Sequence, residues 1–358
     1  MPQRSERGIA RKADLHGEVL VPGAVPALPA HLEAARRTYR AQSRSPRTLE
    51  AYARACGLFT RWCAQHGRQP LPAAPETIEA WIVALAHGDG EPPRSRATID
   101  QYLSAVVWAH RKAGHALDRK HPLIAETWAG ICRNKAKVGA PRKATPIMAD
   151  DLRKLIDALT PQIPAATRDA ALLSLGWAAA LRRSELVGLD WQKQGSGTGF
   201  VRIEDRGLSV TLLSSKGSQT APVVIICPRA DMKSACEALE RWADKAALEP
   251  GQPVFRAIDK GQHIGADRLT DRSVSRIIKA RVRELAQAGG KTRQEAEEMV
   301  ELISGHSLRA GYATTAGAAD MPEYRIREHT RHKSAEVLQG YIRAGQQWTK
   351  SGLKGIGF

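Results

Sequence analysis

No stretch of about 18 apolar residues occurs anywhere in this 358-residue chain, which argues against a membrane-spanning helix. The segment Met1 to Gly23 is polar and basic and lacks the apolar core of a secretory signal. Cysteine is sparse. Cys56, Cys63, Cys132, Cys227 and Cys236 form no C-x-x-C pair, which speaks against both a disulfide framework and a zinc ribbon. They read as core-type thiols in a reducing cytosol. No convincing group of carboxylates is present, as a metal-dependent transposase would require. His329 and His332 are three apart, but neither a third ligand nor H-E-x-x-H accompanies them, so no metal site is expected.

What the chain has in excess is positive charge. Lys and Arg number 54 against 37 Asp and Glu, a net +17 that calls for a polyanionic partner. Nucleic acid is the first candidate and an anionic membrane surface the second. The basic residues are spread along the chain, which fits a large wrapped DNA footprint better than a single basic tail. With 42% hydrophobic residues, the length allows two domains with sizeable cores.

Residues 1–30 combine Arg, Gly and Pro without apolar periodicity and read as a mobile N-terminal arm. Residues 31–137 read as a helical domain. Leu49, Tyr52, Ala53, Cys56, Phe59 and Thr60 recur at three- and four-residue steps after a start signal at Ser45-Pro46. Further helices are expected over Pro75–His87, Thr98–Gly114 and Pro122–Lys137. Residues 138–146 (VGAPRKATP) read as a linker. The next domain is expected to open with a helix over Met148–Leu159, and one long helix is expected over Ala170–Leu189. Three strands follow, Phe200–Ile203, Leu208–Leu213 and Pro222–Ile226. Helices then return over Asp231–Ala247, Arg272–Ala288, Gln294–Leu302 and His306–Ala316, with a broken stretch to Tyr341. The fold class is mainly α with a small antiparallel β-sheet in the C-terminal domain.

Four groups of residues carry chemistry. Arg182 and Glu185, three apart, would ordinarily form a surface ion pair worth a few tenths of a kcal/mol. Here Arg182 ends the apolar run LLSLGWAAAL, so it is expected to point from a buried helix into a cleft, where a charge needs a partner or ligand. Lys216 lies between the second and third strands and reads as a turn lysine, or as an ammonium carried into a DNA groove. His306 and Arg309 share a helix face. His332 and Tyr341, nine residues apart, can meet by a helical or a turn-plus-helix path. Cutting a phosphodiester without a metal needs such parts: a nucleophile, cations on the non-bridging oxygens and an acid for the leaving oxygen. Arg suits the clamp because its planar fork donates two parallel hydrogen bonds.

The ordered set Arg182, Lys216, His306-x-x-Arg309, His332 and Tyr341, with Gly305-His306-Ser307-Leu308-Arg309 and the final nine-residue spacing, resembles the tyrosine recombinase (phage integrase) family. Ser45-Pro46-Arg47-Thr48 and Trp62-Cys63 resemble the core-binding domain of Cre-like and Xer-like members. The resemblance covers about residues 34–358. It departs at two positions: many members have glycine where this chain has Ala180 and Arg331, which questions the local turns rather than the chemistry.

The resemblance implies a site-specific recombinase that cleaves and rejoins duplex DNA through a 3′-phosphotyrosyl intermediate and a Holliday junction, without metal, ATP or other cofactor. It implies Tyr341 as nucleophile, and Arg182 and Arg309 as the phosphate clamp. Lys216 would protonate the leaving 5′ oxygen, His306 would move a proton near the nucleophile, and His332 would donate to the phosphate. Glu185 would orient His306 or Arg182. The implied architecture is a C-shaped, two-domain clamp, with a SAM-like core-binding domain over residues 31–137, a catalytic domain over 147–341 and a tail over 342–358. That tail would be exchanged between protomers or pack on its own domain. Arg47, Thr48, Arg54, Thr98, Gln101 and Arg111 are the candidates for DNA contact. The implied partners are double-stranded DNA with inverted-repeat half-sites and a homotetramer on two sites, with no membrane. The expected location is the cytoplasm, at the nucleoid, for a protein of bacterial or phage-derived origin. A type IB topoisomerase-like strand passage, or a catalytically silent DNA-binding relative, are the alternatives.

Overall fold

The computed structural model describes residues 28–137, 144–213 and 221–347. The chain divides into two compact units, one up to residue 140 and one from residue 141. The first consists of α1 (Ala30–Gln42), α2 (Pro46–Gln65), α3 (Pro75–His87), α4 (Arg96–Lys112) and α5 (Pro122–Lys137). Ser45 caps α2 as expected: its hydroxyl accepts from the Thr48 N–H at 3.2 Å, and Pro46 takes the first helical position. Ser95 caps α4 in the same way through the Thr98 N–H. α2 packs on α4 and α3 on α5. Their shared core holds Phe59, Ile78, Trp81, Ile82, Ile99 and Leu103, with the Phe59 and Trp81 rings 4.7 Å apart. α1 starts where the expected arm ends and buries none of its residues. The rest of that arm, residues 1–27, lies outside the described residues.

The second unit runs α6 (Ala149–Asp157), α7 (Pro164–Ala178), α8 (Arg183–Val187), β1 (Leu189–Trp191), β2 (Gly199–Glu204), β3 (Gly207–Leu212), β4 (Val223–Pro228) and α9 (Arg229–Lys245). It continues with β5 (Arg256–Ile258), β6 (Ile264–Arg268), α10 (Asp271–Ala288), α11 (Arg293–Glu301), α12 (Ser307–Ala318), α13 (Glu323–Thr330) and α14 (Ala335–Gln346). The three expected strands pair antiparallel as β2, β3 and β4. A further strand, β1, joins β2 in parallel, so the sheet is mixed rather than purely antiparallel. Three residues are too few to show alternation, which is why β1 was not expected. The β5–β6 hairpin was missed because β5 is equally short and β6 shows no period-two alternation of burial. The core centres on α7, buried from Ala166 to Ala178 and packed on α9 and α12. Among the described residues, no helix is long and apolar enough to cross a membrane.

Two expectations are corrected here. The single helix over Ala170–Leu189 is broken. α7 ends in a paired closure in which the Ala180 N–H donates to Trp177 and the Leu181 N–H to Gly176, each at 3.0 Å, with Ala180 at φ 45°. The reversal makes Arg182 the N-cap residue of α8, instead of a side chain on the face of a long helix. The boundary after Tyr341 also shifts. α14 runs on through Ile342, which packs on the core, to Gln346, whose Nε2 donates to the Gly317 carbonyl and to Asp320, each at 3.0 Å. The start of the expected tail is therefore a continuation of the helix that bears Tyr341. Residues 348–358 lie outside the described residues.

Candidate active site

Turns, helix starts and the middle of α14 in the second unit bring five of the six expected catalytic residues to one place. Lys216 falls outside the described residues, between β3 and β4. Arg309, on the first turn of α12, is 1% exposed. Its Nη1 donates to the Ala180 carbonyl at 2.7 Å, while its Nε and Nη2 have no partner among the described residues. A buried guanidinium with two unmet donors is costly, at roughly 1–3 kcal/mol or more for each unmet group. It is tolerated where an anion is to be bound. Burial, reinforced by Arg182 and Arg331, pushes the Arg309 pKa down to about 9, so it still carries its charge at neutral pH.

Arg182 is held by Glu185. The Glu185 carboxylate accepts from the Arg182 backbone N–H at 2.9 Å and from Nη1 at 2.5 Å, closing a box at the start of α8. Glu185 is only 4% exposed, and its second guanidinium partner is Arg331, whose Nη2 lies 2.9 Å from Oε2. Among the described residues the His306 ring makes no hydrogen bond to Glu185, so of the two roles expected for Glu185 only contact with Arg182 has a geometric basis. Three guanidiniums around one buried carboxylate leave an excess of positive charge, the field that a phosphate needs.

The rings of His306 and His332 flank Tyr341, with centroids 6.4 and 6.0 Å from that of the phenol. Burial, then Arg309 and Arg182, lowers the His306 pKa. Burial, then Arg309 and His306, brings that of His332 down to about 3. Both imidazoles are therefore neutral at pH 7. Thr330 Oγ1 donates to the Ile326 carbonyl at 2.6 Å and lies 2.8 Å from His332 Nδ1. With its only proton spent on Ile326, the hydroxyl accepts from Nδ1–H, and a lone pair is left on His332 Nε2. In this tautomer His332 accepts. Donation to a phosphate, the role expected for it, first requires a proton on Nε2. Burial raises the Tyr341 pKa and Arg309 opposes that rise, so the resting phenol is protonated and a proton must leave as it attacks.

Two glycines set the position of Tyr341. α14 lies against α12 so closely that a Cβ on Gly345 would collide with the Thr314 carbonyl, and one on Gly317 would sit 2.8 Å from the Ile342 Cα. His329, the other half of the rejected metal pair, is used elsewhere: it stacks on Tyr312 at 4.4 Å and its Nε2 donates to the Ala178 carbonyl at 2.7 Å. Among the described residues, no three His, Cys, Asp or Glu side chains gather as a metal site.

A family model described as the phage integrase family matches residues 146–347. The chain belongs to the phage integrase family of tyrosine recombinases. An integrase/recombinase xerD homolog of Selenomonas ruminantium is 32% identical over 330 residues, covering 90% of this chain and 88% of that protein. Among solved structures, the Tn1549 transposon integrase with transposon right end DNA covers 88% of this chain and 96% of its own, at TM-score 0.56 and 12% identity. A XerH recombinase on a palindromic difH substrate covers 77% and 70%, at TM-score 0.50 and 14% identity. At such identities the likeness to these structures is one of fold.

The two residues that depart from the family pattern, Ala180 and Arg331, both adopt the left-handed backbone, at φ 45° and 57°. For a non-glycine residue that conformation costs about 1–2 kcal/mol. The turns thus keep the geometry that glycine would ease. They also touch: Arg331 Nη2 donates to the Ala180 carbonyl at 3.1 Å. Sequence reasoning took Arg331 only as a weak point in a motif and missed Thr330 entirely. The six candidates for DNA contact lie in the first unit. Arg47, Arg54, Gln101 and Arg111 are exposed, whereas the hydroxyls of Thr48 and Thr98 meet the cap serines at 2.8 and 2.9 Å.

Proposed function

We propose that this family member is a site-specific recombinase that cleaves and rejoins duplex DNA through a 3′-phosphotyrosyl bond at Tyr341. The observation that carries the reading is Arg309, buried with two unspent donors beside Arg182, His306, His332 and Tyr341. Arg182 and Arg309 clamp the two non-bridging oxygens. The Tyr341 oxygen bonds to phosphorus as the bond to the 5′ oxygen breaks. The phenol proton passes to neutral His306, and Lys216 gives a proton to the leaving 5′ oxygen. His332 takes up a proton on Nε2 as the phosphate enters and cancels the surplus positive charge, and it then donates to a phosphate oxygen. Attack by a 5′-hydroxyl from a second duplex reverses these steps. The phosphoester energy is retained throughout, so no ATP is consumed.

On this reading the unit up to residue 140 acts as the core-binding domain. Arg47, Thr48, Arg54, Thr98, Gln101 and Arg111 lie at the DNA surface. Two inverted half-sites on each of two duplexes recruit a homotetramer that passes through a Holliday junction; the palindromic substrate of the XerH structure supports this arrangement. The enzyme works in the cytoplasm at the nucleoid.

The test is covalent capture. Labelled duplexes from DNA flanking the gene, nicked near inverted repeats so that the freed strand diffuses away, are incubated with the protein in EDTA. They are then run on a denaturing gel beside Tyr341→Phe. An adduct with wild type alone is expected. Tight specific binding without any adduct would overturn the reading in favour of a DNA-binding relative.

A further inference from the structure

We propose that Arg331 is a positioning residue, whose guanidinium locks Glu185 and the turn at Ala179 and Ala180 so that Arg182 and Arg309 present their free donors to a single phosphate. The inference rests on the reading above and adds a residue to it.

The Arg331 side chain is 9% exposed, and each terminal nitrogen meets acceptors that do not belong to solvent. Nη2 donates to Glu185 Oε2 at 2.9 Å and to the Ala180 carbonyl at 3.1 Å, and Nη1 reaches the Ala179 carbonyl at 3.3 Å. Two of these acceptors also hold the clamp. Glu185 Oε1 takes Arg182 Nη1 at 2.5 Å, and the Ala180 carbonyl takes Arg309 Nη1 at 2.7 Å. The Arg331 carbonyl lies 3.4 Å from Arg182 Nη2. One continuous chain of contacts therefore runs from Arg182 through Glu185, Arg331 and Ala180 to Arg309, with Arg331 as its middle link.

Glycine at this position would suit the backbone at φ 57° but would leave Glu185 to Arg182 alone and two helix-end carbonyls with fewer donors. Lysine could not span three acceptors with one ammonium. Among the described residues the buried Nε of Arg331 has no partner, but both terminal nitrogens, the pair that would fork onto a phosphate, are committed inward, which makes the side chain a strut for the clamp.

The test uses the full chain with Arg331→Gly, Arg331→Asn and Arg331→Lys. Glycine and asparagine both tolerate the left-handed backbone, so folding is retained. On the nicked duplex captured by wild type, at saturating DNA, the Gly and Asn variants should form adduct at least about tenfold more slowly, with DNA affinity within about threefold and cooperative melting retained. Lysine should recover only part of the rate. Adduct formation by Arg331→Gly at the wild-type rate would overturn the proposal. So would parallel loss of rate, affinity and cooperative melting in both the Gly and Asn variants, because that pattern marks a purely structural role.

A second readout needs no cleavage. Titration with inorganic phosphate should shift the Nε–H NMR signals of Arg182 and Arg309 in wild type, with the shifts weakened in Arg331→Gly. Equal shifts in the two proteins would overturn the inference. If wild type forms no adduct while these signals behave as expected, the recombinase reading fails and the role of Arg331 in shaping an oxyanion site stands.

Discussion

Two equally buried side chains, one in each unit, are held in opposite ways. In the first, the buried His110 is met on both ring nitrogens: Nδ1 donates to the Val106 carbonyl at 2.8 Å, and Nε2 accepts from the Ala73 N–H at 2.9 Å. No Lys, Arg, Asp or Glu among its described residues is buried. In the second, Arg309 is equally buried but meets a single carbonyl, with like charges nearby. A satisfied buried group holds a fold together. An unsatisfied buried charge lowers stability unless a ligand completes it. Arg309 is the described residue with two such unmet donors, and that sets it apart as a group suited to meet an anion.

The comparison can be broken most directly at its extremes. Arg309→Met should reduce adduct formation at saturating DNA by about 10²–10³-fold or more, the scale for losing a main electrostatic stabiliser. The same change should raise the melting temperature, because it removes a buried charge whose unmet donors cost roughly 1–3 kcal/mol each. Lower stability in Arg309→Met would contradict the account. Gly345→Val should come next. Its side chain would drive α14 away from Thr314 and carry Tyr341 out of line, for a loss of about 10²-fold in adduct rate. Substrate binding should change little, as a gel-shift titration would show.

His110→Leu makes the opposite prediction to Arg309→Met. It strips two hydrogen bonds from the first unit and should destabilise it by about 1–3 kcal/mol in urea melts. Adduct rate at saturating DNA should stay within about twofold, since the residue touches no reacting group. The smallest effect concerns pH. An unfolded His332 takes a proton near its ordinary pKa of 6.5, whereas the folded one resists until about 3. The unfolded state therefore binds more protons between those values. Stability should be undiminished above pH 6.5 and should decline as pH falls towards 3, with half-buried His306 and His329 adding in the same direction. His332→Gln should flatten part of that slope. An unchanged slope would show that the ring does not carry the depressed pKa.

Much of this was legible in the sequence because it depends on local signals. Ser45 and Pro46 announced the start of α2, the alternation in β2 and β3 announced the sheet, and the spacing from His332 to Tyr341 allowed either a helix or a turn plus helix, of which the fold uses the second. What escaped was decided by tertiary context. A run of alanines and leucines up to Leu181 gives no sign that the chain reverses at Ala180, since alanine is a poor choice for a left-handed turn. Arg331 occupies the matching turn for the same reason of context: its side chain finds Glu185 and two helix-end carbonyls that lie some 150 residues earlier in the chain. Ala180 and Arg331, which looked like flaws in two motifs, are one contact in the folded molecule.

The central claim is that Tyr341 is the residue that joins DNA. The adduct formed in EDTA should be digested with trypsin and nuclease and the modified peptide sequenced by mass spectrometry. The account predicts a nucleotide remnant on the peptide that ends at Arg343, linked through Tyr341 to a 3′ phosphate, and no adduct with Tyr341→Phe. A remnant on exposed Tyr324 or on any other residue, or an adduct that survives Tyr341→Phe, would contradict it.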